Sequence, residues 1–178
     1  MNFTFQNSKV FSLKRIALLA LFVAVCVVAR LSFTWIPNFT PVTTIVLLIC
    51  FNFGLANALV VANVMLVATG VYLGMGYWVF EQMLCYSLIL LIYYFLLKIG
   101  FFRKLLSQMV IAFLLGLLYG FLISICEVFI FRINFFWIYY SAGIPFDLMH
   151  ASGDFLFMLV LSKPFAVLKE RFVKFDKV

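Results

Sequence analysis

Apolar runs fill nearly every segment between Leu13 and Leu168, and this restricts the fold more than any other feature of the chain. A water-soluble domain of this size needs a polar outer face on each element, and none is present. Of the 178 residues 67% are hydrophobic and 11% charged, and the mean hydropathy is +1.22, so the solvent for most of the surface is lipid. No polar stretch is long enough to fold separately or to act as a linker. A single membrane-embedded domain spanning residues 1–178 is expected. Lys14 and Arg15 precede the apolar run from Ile16 to Ala29 as in a secretion signal, but no small-residue cleavage site followed by a polar chain appears, so a retained helix is expected. Cys26, Cys50, Cys85 and Cys126 are scattered without CxxC spacing and read as free, space-filling thiols.

A helix rises about 1.5 Å per residue, so crossing a hydrocarbon core of roughly 30 Å takes about 20 residues. The pattern gives an all-α bundle of six transmembrane helices. The first span is Leu13 to Ala29, followed by a loop from Arg30 to Pro41 that holds Pro37 and Pro41. The run from Val42 to Leu73 is too long for one crossing and carries Asn52, Gly54 and Asn57 at its middle, so two short helices are expected, Val42 to Phe53 and Ala56 to Leu73. A fourth span runs from Val79 to Leu97, and Lys98, Gly100, Arg103 and Lys104 form the next loop. The fifth runs from Leu105 to Phe129. After a connection from Arg132 to Pro145, the sixth begins at an N-cap, Asp147, and ends near Pro164.

Six crossings put both termini on one side, and the basic residues test this independently. Of the 13 Lys and Arg, Lys9, Lys14, Arg15, Lys98, Arg103, Lys104, Lys163, Lys169, Arg171, Lys174 and Lys177 fall on that side, and only Arg30 and Arg132 on the other. Cytoplasmic termini are expected. This placement also explains the net charge of +7 without nucleic acid, since the basic residues mark loops and ends.

The same topology gathers Arg30, Glu81, Glu127, Arg132, Asp147 and Asp154 at or near the outer ends of spans. Ionisable groups embedded in a membrane are costly unless they are paired, hydrated or facing a cavity. Trp35, Trp78 and Trp137 fall in outer loops, with Tyr72, Tyr77, Tyr139 and Tyr140 nearby. An aromatic belt explains some of them, but the cytoplasmic side has no tryptophan, so several are expected to wall a pocket for a flat, partly apolar ligand. Asp147, His150 and Asp154 share one helical face, suited to hydrogen bonding with amides or hydroxyls. One histidine with two carboxylates and no further His or Cys ligand does not make a metal site. No HExxH, GxSxG or phosphate-cradling glycine loop is present, so neither enzymatic chemistry nor ATP hydrolysis by this chain is expected. The expected binding set is Arg30, Trp35, Asn38, Tyr77, Trp78, Glu81, Glu127, Arg132, Asp147, His150 and Asp154. On the first helix Ala17, Ala20 and Ala24 form a small-residue stripe, which suits either a partner helix or the protein's own packing.

These residues carry a family resemblance. Six short helices in about 180 residues, basic ends and the Ala20 to Ala24 step make the chain similar to the substrate-binding S-components of energy-coupling factor (ECF) vitamin transporters. Within that family, RLSFTWIPNFTPVTT from Arg30 to Thr44 and GIPFDLMHASGDFLFMLVLSK from Gly143 to Lys163 resemble the group that includes the cobalamin-specific S-component. The chain departs from that group's pattern at Phe39, where valine is frequent, and at Asp154, where asparagine is. The resemblance implies a subunit of the bacterial plasma membrane that takes a vitamin into an outward-facing pocket, with cobalamin favoured over folate, riboflavin or a queuosine precursor. It implies association with a membrane coupling subunit, touched through the alanine stripe, and with two ATPase subunits. It further implies that the subunit topples in the membrane to release the vitamin inside. The alternatives to this reading are a small autonomous permease and a membrane enzyme acting through Asp147, His150 and Asp154.

Overall fold

The computed structural model describes residues 13–100 and 104–175, with the backbone alone for 173–175. Lys9, Arg103 and Lys177 therefore lie outside the described residues, as does the side chain of Lys174. Six helices follow in order: α1 Leu13–Ser32, α2 Val42–Phe53, α3 Leu55–Leu73, α4 Tyr77–Ile99, α5 Leu105–Phe131 and α6 Phe136–Phe175. No strand occurs among the described residues. Five of the helices are long and apolar enough to cross a membrane, and α2 with 12 residues is not.

Contacts between helix ends fix the chain's course. At one end Arg15, in the first turn of α1, donates to Asn57 near the start of α3, with Nη2 to Oδ1 at 2.6 Å. At the other end Arg30, late in α1, donates from Nη2 to Oε1 of Gln82 near the start of α4 at 2.7 Å. α1 and α3 therefore run the same way and α2 returns between them. The start of α4 lies beside the end of α5, where Glu81 meets Glu127. Phe22 of α1 stacks on Phe165 of α6 at 5.7 Å, toward the Arg15 end. The chain thus reverses at every connection.

The core helix is α2. All of its residues except Phe51 are buried, and α3 and α6 pack most extensively against it. A helix so nearly enclosed needs no continuous polar face, and the polar residues of its sequence, VTTIVLLICFNF, are confined to Thr43, Thr44 and Asn52. The turn into α3 is a single residue, Gly54, at φ +94 and ψ 161, a conformation open essentially to glycine alone. The most extensive helix contact is that of α5 with α6. Gly116 and Gly120, one turn apart on α5, permit it: a Cβ on Gly116 would come within 2.9 Å of the Ala151 backbone, and one on Gly120 would overlap the Asp147 carboxyl.

Several expected boundaries shift. Helix α1 runs on to Ser32, so Arg30 is helical rather than the start of a loop. Helix α6 begins at Phe136, eleven residues before Asp147, and continues through both Pro145 and Pro164. Asp147 is therefore not an N-cap, and the expected connection from Arg132 to Pro145 is mostly helix. Trp78 and Trp137 lie in α4 and α6 rather than in loops. The α2 to α3 hairpin is found at the expected place. All four cysteines are free.

No atom lies within 4 Å of a Cβ built on Gly54, so Gly54→Ala isolates the backbone term. It is expected to cost about 1 to 3 kcal/mol. A lowered thermal-unfolding midpoint in detergent checks this, and an unchanged midpoint would mean that the hairpin turn relaxes freely.

Candidate functional site

A cavity of about 720 Å³ opens at the Arg30 end of the bundle. Six parts of the chain build it: the end of α1, the segment 33–41, Leu73 at the end of α3, and the same-end turns of α4, α5 and α6. The segment 33–41 forms one wall with Phe33, Thr34, Pro37, Asn38 and Thr40. Helix α4 gives Gln82 and Tyr86, one turn apart. Helix α5 gives Tyr119, Gly120 and Ser124, and α6 gives Tyr139, Phe146, Asp147 and His150.

Beneath the cavity lies a connected polar cluster. The carbonyl oxygen of Asn38 can only accept, so His150 Nδ1, 3.0 Å away, carries a proton and donates it. In the neutral ring Nε2 is then an acceptor, and Thr43 Oγ1 donates to it at 3.0 Å. Thr43 Oγ1 in turn accepts from the Tyr86 hydroxyl at 3.2 Å. Tyr119 stacks on the His150 ring with centroids 5.3 Å apart. One turn deeper, Asp154 is fully buried and accepts from Thr44 Oγ1 through Oδ1 at 3.1 Å. Its Oδ2 lies 3.4 Å from His150 Nε2, and because Nε2 is an acceptor in this tautomer no hydrogen bond joins them. Asn38 takes φ +57, a left-handed conformation that asparagine tolerates and that turns its carbonyl toward His150.

Of the expected binding set, Arg30, Asn38, Asp147 and His150 line the cavity. Asp154 is behind that wall, and Trp78 is one step removed, with the Arg30 guanidinium 5.9 Å from its ring centre. Glu81 is buried beside Glu127, and neither lines the cavity. Arg132 is exposed at the end of α5. Trp35 is 76% exposed and donates to the Ser32 carbonyl, while Tyr77 and Trp137 are also exposed, as residues of an interfacial belt are. The aromatic wall consists instead of Phe33, Tyr86, Tyr119, Tyr139 and Phe146. Spacing could have revealed much of it. Gly116, Gly120 and Ser124 form a small-residue face on α5 at intervals of four, and Gln82 and Tyr86 share one face of α4. Among the described residues no group of three His, Cys, Asp or Glu is placed to hold a metal ion.

The alanine stripe has a clear position. Ala17, Ala20 and Ala24 are all exposed, whereas Leu18, Phe22 and Cys26 are the buried residues of α1. Among the described residues nothing buries the stripe.

His150 supplies a hydrogen bond from α6 to the segment 33–41, beside the packing of Phe33 and Phe39 on Phe157, so His150→Ala is expected to raise amide exchange across that segment, with Asp147→Asn leaving it unchanged. Hydrogen–deuterium exchange with mass spectrometry reads both, and equal protection in the two variants would show that other contacts hold the segment. Comparisons with protein-family models, with curated proteins and with solved structures return no match.

Proposed function

We propose that this chain is the substrate-binding subunit of an ECF-type importer, capturing a vitamin at the outer face of a bacterial plasma membrane for delivery by an ATP-driven partner module. The observation that carries the reading is the cavity. It opens at one end only, it lies opposite the basic end, and its volume of about 720 Å³ falls within the range of roughly 300 to 1,000 Å³ common for small-molecule sites. Its lining of tyrosines and phenylalanines, with Arg30, Asn38, Gln82, Asp147 and His150 among them, suits a flat ligand rich in amides. Cobalamin is the favoured vitamin, its corrin face on the aromatic wall and its periphery at the mouth.

On this reading both termini are cytoplasmic and six elements cross. Helix α2 alone, with 12 residues, spans only about 18 Å. Together with the segment 33–41 it completes the second crossing, since non-helical backbone is tolerated at membrane depth where it lines a cavity. The exposed alanine face of α1 suits close approach by a helix of the coupling subunit, and two ATPase subunits supply the energy.

Three outcomes are expected. Calorimetry on the purified chain gives saturable vitamin binding, weakened by Asp147→Ala by a factor of roughly 5 to 150, the equivalent of about 1 to 3 kcal/mol for one buried hydrogen bond. Binding of folate or riboflavin with no response to cobalamin would refute the ligand, and uphill uptake into proteoliposomes by this chain alone would refute the division of labour. Ala20→Trp with Ala24→Trp weakens docking to the coupling subunit while vitamin binding stays within about twofold. Loss of both together would mean that the substitutions disturb the bundle. A single cysteine at position 101 or 175, on a cysteine-free background, reacts with an impermeant reagent from the cytoplasmic side, and labelling from outside only would invert the topology.

A further inference from the structure

A second cavity, of about 280 Å³, opens at the opposite end of the bundle between α2, α5 and α6. Its walls are of two kinds. Phe51 and Leu105 belong to an apolar side, and Asn52, Gln108, Ser162 and Lys163 to a polar one. Phe51 is the one residue of α2 that is not buried, so the core helix comes to the surface here.

Three features define the chemistry of an occupant. The rim is cationic: Lys163 lines the cavity and is exposed, and Lys104, also exposed, immediately precedes Leu105. The start of α5 at the cavity has no side-chain cap, which adds the positive end of a 27-residue helix. The floor offers an acceptor. Asn52 is only 8% exposed and its Nδ2 donates to the Leu48 carbonyl at 3.0 Å, while among the described residues its oxygen accepts from nothing. The flank is apolar, with Leu106 and Val167 exposed on the two helices that frame the opening. A ligand matching all three carries an anionic group, a hydroxyl donor and a hydrocarbon tail.

We propose that this cavity holds the headgroup of an anionic phospholipid, with the phosphate at Lys163 and the start of α5, a glycerol hydroxyl at Asn52, and the acyl chains outside along Leu106 and Val167. The proposal depends on the helices lying in a membrane and not on what the first cavity binds. Basic residues at a membrane surface attract anionic lipid by charge, and a cavity among them converts that attraction into a site.

Native mass spectrometry of the full chain tests this after delipidation in detergent and addition of phosphatidylglycerol, phosphatidylcholine or inorganic phosphate. The expected result is retention of one phosphatidylglycerol where phosphatidylcholine is lost, with no competition from inorganic phosphate. Lys163→Gln is expected to weaken retention about fivefold, and Ala166→Phe, which places a ring in the cavity, to abolish it. Equal retention of the two lipids would overturn the proposal. Displacement by inorganic phosphate would assign the site to a free anion. Undiminished retention in Lys163→Gln would place the lipid elsewhere on the basic end, even if Ala166→Phe failed to fold.

Discussion

The architecture depends on how closely α5 approaches α6. Helices in lipid gain little from apolar burial against one another, because the alternative neighbour is equally apolar, and close packing and polar contact must supply the difference. Gly116 and Gly120 allow the α6 backbone near enough for the carboxyls of Asp154 and Asp147 to occupy the space that two Cβ atoms would fill. Once α6 is set there, the same face reaches α2 through Thr43 and Thr44 and reaches the segment 33–41 through the Asn38 carbonyl. The core helix and the wall of the cavity are both hung from that face.

Much of the fold was legible because lipid imposes simple rules. Apolar length gave the long helices, and Gly54 between two polar asparagines marked the α2 to α3 hairpin. The shared face of Asp147, His150 and Asp154 followed from helical period alone. The start of α6 did not, and the reason is physical: proline inside a helix costs about 3 kcal/mol in water-soluble hosts, so Pro145 read as a boundary. Within a bundle, neighbouring groups take up the hydrogen bonding that proline forfeits and the helix continues. Composition also could not say which way an aromatic points. Trp35 and Trp137 sit at the end where the cavity opens yet face outward, while Tyr86 and Tyr119, well inside apolar runs, form its wall.

The polar cluster explains why the segment 33–41 is ordered without regular structure. Among the described residues its own backbone bonds are few, Ile36 to the Phe33 carbonyl and Phe39 to that of Ile36. Its position is set from outside, by His150 at Asn38 and by Phe39 packing over Gly153, whose missing side chain leaves room for the ring. Phe39 and Phe33 both meet Phe157. A histidine bonded on both ring nitrogens is therefore a positioning group for the wall before it is anything else.

Three carboxyl oxygens within the bundle lack a hydrogen-bond partner among the described residues: Oε1 of Glu81, Oδ2 of Asp147 and Oδ2 of Asp154. An unsatisfied buried acceptor costs about 1 to 3 kcal/mol, so three on one half of a small bundle need separate explanations. Glu81 has Glu127 beside it, whereas Asp154 Oδ2 faces the acceptor Nε2 of His150. Asp147 has neither, and of the three it alone lines the cavity. Its Oδ2 is enclosed where the carboxyl packs over Gly120, so a donor in the cavity reaches it once the carboxyl turns that oxygen toward the opening. On the proposed reading that donor is a ligand amide, and the cost carried by the empty protein becomes affinity that a ligand lacking such a group cannot recover.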